Sequence, residues 1–272
     1  LNTRYKGNKT EPLCIYASDY DKSGSIGPVM TMYIQGEEQV AHSWDDMVKQ
    51  MNPIRARFKT YQPYAEASFG KSFSEAEIKS AYKVCGEWFQ TSYIENVGGG
   101  NFSVEGLPTP VQFSPVYGMV SGDYNADGNL DVLMVGNSYA TEVSTGRYDA
   151  SIGLYLQGDG KGNFVSVNVQ QSGFVVDKDA KGLSKLILGD GREVILAGVN
   201  NDKLKAQLVN GAKKYFKAAQ EDSYAIVKLK NGKTYRQEFY YGSTYLSQSS
   251  RSLGFSDKIV SFEVYNFSGR KK

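Results

Sequence analysis

Along most of the chain, short apolar runs alternate with connections that are either acidic or rich in glycine. Two stretches share the first design, CIYASDYDKSGSIGPVMTMYIQG (14–36) and VYGMVSGDYNADGNLDVLMVGN (116–137), each an acidic loop framed by strand-like segments. Two share the second, SYIENVGGGNFSVEGLP (92–108) and GLYLQGDGKGNFVSVN (153–168), which read as hairpins with glycine at the tip. The order loop, hairpin, loop, hairpin is that of a repeated sheet unit. A looser third unit, LSKLILGDGREVILAGVNND (183–202), predicts two strands around Gly189-Asp190-Gly191, followed by KLKAQLV.

The spacing exposes an insertion. Asp19 to Phe102 is roughly twice the span from Asp123 to Phe164, the equivalent pair in the second unit, and the extra residues at about 43–84 have helical character. Ser43 can cap a helix over Trp44 to Met51, with Asp45 and Asp46 at its positive end. Ser74-Glu75-Ala76-Glu77 fits a capping box opening a second helix to about Tyr82, with Ile78, Ala81 and Tyr82 on one face. Pro53 and Pro63 break the run between them.

After about residue 221 the pattern changes. SYAIVKLKNGKTYRQEFYYG predicts a hairpin with a type I′ turn at Asn231-Gly232, followed by a serine-rich connection and a last strand, KIVSFEVYNF. The expected fold is mainly β: four-stranded antiparallel, propeller-like blades over 1–221 with a short helical insertion, and a small all-β module over 222–272.

Composition sharpens this. The 29 Gly, 20 Tyr and 13 Phe favour many short strands joined by tight turns. A net charge of +2 over 272 residues argues against nucleic acid or a membrane surface as partner. No apolar run reaches the roughly 18 residues that span a bilayer. The chain begins Leu-Asn-Thr, which reads as an excised or processed piece of a larger polypeptide. Cys14 and Cys85 are either one disulfide or two buried thiols.

The acidic loops carry the chemistry. Counted from Asp123, oxygen donors fall at positions 1, 3, 5 and 9 (Asp123, Asn125, Asp127, Asp131), with the Asn129 carbonyl at 7. Gly128 at position 6 permits the sharp turn, and Leu130 at 8 is expected to point inward as an anchor. Hard oxygen donors at this spacing suit Ca2+. An EF-hand would place Glu at position 12, where Met134 stands, and strands instead of helices flank the loop. A solvated Asp/Asn turn is the alternative, but three carboxylates within nine residues repel one another without a cation. In the first loop Asp19, Asp21, Ser23 and Ser25 remain, with Gly27 at position 9, giving a weak or empty second site. Catalysis has little support: carboxylates held by a cation are not free as general acids, and His42 has no recognisable partner. Glu66, Glu87 and Asp149 carry no motif. Arg147, Tyr148 and Asp149 form a candidate ligand-contact loop, or an ordinary connection with an Arg–Asp pair.

GDYNADGNLDVLMVG followed by GLYLQGDGKGNF resembles the FG-GAP (VCBS) repeats of integrin-type β-propellers. FYYGSTYLSQSSRSLGF is similar to the ASPIC/UnbV domain that follows such repeats in secreted or surface proteins of Bacteroidetes-type bacteria. The resemblance implies a non-enzymatic, extracellular or outer-membrane-attached protein in adhesion or in protein or glycan capture. It implies calcium ligands at Asp123, Asn125, Asp127, Asn129 and Asp131, with departures at Ser23 and Gly27.

Overall fold

A computed structural model describes residues 3–143, 145–210, 214–255 and 258–272. It is mainly β, with 41% strand against 13% helix, arranged as several small antiparallel sheets without a closed barrel among the described residues. The chain divides into two compact units, Thr3–Gln90 and the remainder from Thr91 to Lys272.

The first unit opens with β1 (Leu13–Ser18), β2 (Gly27–Ile34) and β3 (Glu37–Val40), a meander around the first acidic loop. Five short helices follow: α1 (Trp44–Gln50), α2 (Pro53–Arg57), α3 (Tyr61–Ala65), α4 (Phe69–Ser72) and α5 (Glu75–Ser80). Ser43 caps α1 by accepting from the Asp46 N–H, and Ser74 and Glu77 form the expected capping box on α5. Pro53 does not break helicity but opens α2, because a first-turn residue has no intrahelical acceptor for the N–H that proline lacks. The helix from Ser74 ends early. Tyr82 lies exposed on β4 (Tyr82–Gly86), while Ile78 and Ala81 pack on the core. That core holds Tyr16, Val29, Met47, Ile54, Phe69 and Phe73.

β4 pairs with the free edge of β1, giving the order β3-β2-β1-β4, and Cys14 faces Cys85 across the ladder in a disulfide. This corrects two readings. The helical segment sits between the third and fourth strands of its sheet, and the hairpin at 92–108 does not complete that sheet. Its strands, β5 (Ser92–Gly98) and β6 (Asn101–Gly106), pair with each other in the second unit.

The second unit contains the expected four-stranded blade, β7 (Val116–Gly122), β8 (Asp131–Gly136), β9 (Leu154–Gly158) and β10 (Phe164–Val167), in a plain meander. After a short helix, α6 (Val169–Ser172), the third repeat forms β11 (Ala180–Ile187), β12 (Glu193–Val199) and β13 (Lys205–Leu208). The two sheets share a core of Val120, Leu133, Val135, Leu183, Ile195 and Ala197. Gly118 lets them meet: a Cβ there would sit 2.8 Å from the Leu183 nitrogen. Gly118→Ala is therefore expected to cost about 1–3 kcal/mol by overpacking, read as a lower urea midpoint at unchanged slope.

The rest comprises β14 (Tyr215–Lys217), β15 (Asp222–Leu229), β16 (Thr234–Glu238), β17 (Ser252–Gly254) and β18 (Ile259–Asn266). Strands β16-β15-β18 form a sheet with its own core of Ala225, Val227, Phe239, Leu253 and Val264, and β14 pairs with β17. The β15–β16 turn differs from expectation. Leu229 N–H bonds to the Lys233 carbonyl and Gly232 N–H to the Leu229 carbonyl, and Gly232 has positive φ whereas Asn231 does not. The loop is thus the three-residue type with a glycine bulge, the form also adopted at 189–191.

Candidate metal-binding loops

The loop 123–131 joins β7 to β8, with Gly122 paired to Asp131 at its base. Its path follows from side chains bonding to nearby backbone, the habit of Asp, Asn and Ser in turns. Asp123 Oδ2 accepts from Gly128 N–H (3.0 Å), Asn125 Oδ1 from Asp127 N–H (3.0 Å) and Asp127 Oδ1 from Asn129 N–H (2.7 Å). Ala126 and Gly128 take positive φ, which bends the chain around these acceptors.

The first loop repeats this bond for bond. Asp19 Oδ2 accepts from Gly24 N–H (2.9 Å), Asp21 Oδ1 from Ser23 N–H (3.2 Å) and the Ser23 hydroxyl from Ser25 N–H (3.3 Å). Positive φ falls at Lys22 and Gly24, again positions 4 and 6. Position 1 therefore caps 6, position 3 caps 5 and position 5 caps 7 in both loops, although only Asp, Gly and little else are shared.

Position 9 separates them. Asp131 is fully buried, and its carboxylate accepts from Tyr124 N–H (3.1 Å), the Tyr155 hydroxyl (2.9 Å) and Gly158 N–H (3.1 Å). It ties the loop to the next hairpin. Burial, with the bond to Asp131, pushes the Tyr155 hydroxyl up and keeps it a donor. Leu130, read as the inward anchor, is 42% exposed, so Asp131 does the anchoring instead. The reason is chemical: the loop end must satisfy buried N–H groups, which a leucine cannot do. In the first loop Gly27 stands at this position and opens β2.

The donor set is all hard oxygen. Asp123, Asn125 and Asp127 are drawn over one turn, and an oxygen accepting one N–H keeps a second lone pair. These residues fit a calcium-type ion by chemistry. Among the described residues, however, no three His, Cys, Asp or Glu side chains converge in ligating geometry. A protein cation already meets the loop, as Lys258 Nζ donates to the Ala126 carbonyl. Partial burial works to raise the Asp127 carboxyl, but the Asn129 N–H, the Asn125 and Gln157 amides and the Lys258 charge outweigh it and hold it low. The Ser23 hydroxyl and N–H likewise hold Asp21 low.

Arg147, Tyr148 and Asp149 do not converge. Tyr148 forms a backbone bridge with Ser138, the Arg147 guanidinium lies over the Tyr139 ring (5.1 Å), and no Arg147–Asp149 ion pair forms. Arg251 is structural, as its guanidinium donates to the carbonyls of Phe239, Ala219 and Asp222 and to the Tyr241 hydroxyl.

One device escapes sequence reading. The outer edge of β11 is closed by the serine-rich connection: Leu183 N–H bonds to Thr244 Oγ1 (3.3 Å), Lys185 N–H to Ser249 Oγ (3.0 Å) and Ile187 N–H to Ser250 Oγ (3.2 Å). Carbonyls are served too, Leu183 by the Thr244 hydroxyl and Lys185 by Ser250 N–H. The only sequence signal is the density of hydroxyls in STYLSQSS.

No protein-family model matches the chain, and no curated protein matches its sequence.

Proposed function

We propose that this chain is a non-enzymatic, extracellular β scaffold whose acidic loops bind Ca2+ and whose surface engages a protein or glycan partner in adhesion or capture. The observation that carries this is the twin geometry of loops 19–27 and 123–131: two different sequences held to one path that gathers oxygen donors at positions 1, 3 and 5. The meander of β7 to β10, with the loop between its first two strands, is the arrangement expected of an FG-GAP-type blade. The Cys14–Cys85 disulfide suits an oxidising compartment outside the cytosol. No described helix is long and apolar enough to cross a membrane, in keeping with a chain that does not insert through helices.

Asp123, Asn125 and Asp127 would hold the ion with the Asn129 carbonyl and Asp131, and the weaker first loop would use Asp19, Asp21, Ser23 and Ser25. Bound calcium stiffens the bend and does no chemistry. At a hundredfold excess over Kd it adds about 2.7 kcal/mol of stability. The test is calcium titration by calorimetry with melts in calcium and in chelator. Wild type should bind below millimolar Kd and melt higher in calcium. Asp127→Ala, at an exposed position, should abolish most of that heat, while its chelator melt falls only slightly through the lost bond from the Asn129 N–H. No heat from wild type and identical melts would refute the reading.

A further inference from the structure

A cleft of about 440 Å3 in the second unit has Met119, Ser121, Val132, Lys185, Gln237 and Tyr240 among its walls. That is the size of a small-ligand site. Lys185 is its unusual member. It shares a row of β11 with fully buried Leu183, and its cross-strand partner is Ile195, a member of the shared core. This is the inward row of the strand, where a charged residue is out of place unless paired. Yet the half-buried Lys185 ammonium makes no hydrogen bond or ion pair among the described residues.

Two further side chains have unused capacity beside it. The Ser121 hydroxyl, on β7, enters no hydrogen bond among the described residues. The Gln237 side chain, on β16, bonds only through Nε2, to the Glu238 carbonyl (3.0 Å), which leaves Oε1 open. Ser121, Lys185 and Gln237 line both this cleft and a cavity of about 70 Å3 under the second loop, so the three stand where the two spaces meet. The hydroxyls of Ser249 and Ser250, also on the wall, are already spent on β11.

The open groups select the ligand. Lys185 only donates, Gln237 Oε1 only accepts and Ser121 does both, a mixture met by hydroxyl groups, each of which gives one hydrogen bond and takes others. An acid would suit Lys185 but would bring its charge towards Glu238 and Glu193, each of which shares a wall with that lysine. An extended peptide would need a strand edge, and the β11 edge is closed by Thr244, Ser249 and Ser250. Met119 and Tyr240, both exposed, offer apolar surface to the C–H face of a pyranose ring. We infer, building on glycan capture as proposed above, that this cleft binds a neutral sugar at the end of a glycan chain. Lys185, Ser121 and Gln237 bond its hydroxyls, and the calcium-type loop donors Asn125 and Asp127 take no part.

The test is ligand-observed NMR on the full chain with maltotriose, cellotriose, mannotriose and xylotriose, and with trigalacturonate as the acidic counterpart. At least one neutral trisaccharide should receive saturation from the protein. Lys185→Met keeps the stem beside Ile195 and removes the ammonium, so it should weaken that binding by about tenfold. Lys228→Met, at an exposed position outside the cleft, should leave it unchanged. Should Lys185→Met not fold, Tyr240→Ala serves in its place and should also weaken binding. Binding that survives both variants overturns the assignment to this cleft while leaving glycan capture standing. Preference for trigalacturonate overturns the neutral sugar. If no trisaccharide binds, the proposal falls, and the calcium titration still decides the scaffold reading on its own.

Discussion

Replacing Cys14 and Cys85 together by Ala is expected to lower the stability of the first unit by about 4 kcal/mol. The bridge spans 71 positions, and closing a loop of that length restricts the unfolded chain by roughly this amount. The location magnifies the local effect. Cys14 is buried on the central strand β1, whereas β4 is an edge strand with Tyr82, Lys83, Val84 and Cys85 exposed. Its residues bury little apolar surface, so backbone pairing and the bridge hold it in place. Urea melts of the double variant should show the lower midpoint. Hydrogen exchange should show amides of 82–86 losing protection before those of β1 and β2. Equal protection across all three strands would mean that β4 does not depend on the bridge.

Asp131→Ala is expected to cost about 3–5 kcal/mol in the second unit, because Tyr124 N–H, Gly158 N–H and the Tyr155 hydroxyl lose their common acceptor in a buried setting. Asp131→Asn keeps the volume and one acceptor, but turns an amide N–H2 towards a donor, so it should recover only part of the loss. The whole effect should appear in chelator, since these bonds exist without an ion. A variant that is as stable as wild type in chelator and deficient only in calcium would make Asp131 a metal ligand alone. For this reason Asp127, not Asp131, is the clean probe of ion binding.

What could be read in advance was local. The acidic loops, the caps at Ser43 and Ser74 and the glycine-tipped hairpins depend on side chains meeting backbone within a few residues, and these emerged as expected. The misreadings were long-range. Nothing near Tyr82–Gly86 indicates that it will lie against β1, because that pairing closes across the whole helical segment. Hence the hairpin at 92–108 was credited with a place that β4 takes. The turn at 230–232 failed for a subtler reason: Asn-Gly suits two turn lengths, and the strand pairing selects between them. At the candidate site, the spacing of Asp123 to Asp131 was legible, whereas two of the three partners of Asp131, Tyr155 and Gly158, lie on β9, far along the chain from the loop.

The closure of β11 by Thr244, Ser249 and Ser250 has a bearing on how such a chain can diverge. A pairing strand dictates alternation and residue-by-residue alignment, but a rotatable hydroxyl supplies donor and acceptor from one atom and asks for neither. The connection is therefore constrained at its hydroxyl positions and at Gln248, whose amide bonds Gly242, Tyr240 and Ser249, and tolerant at the exposed Tyr245 and Leu246. A margin that would otherwise recruit a foreign strand is quieted by chemistry that leaves almost no ordered signature.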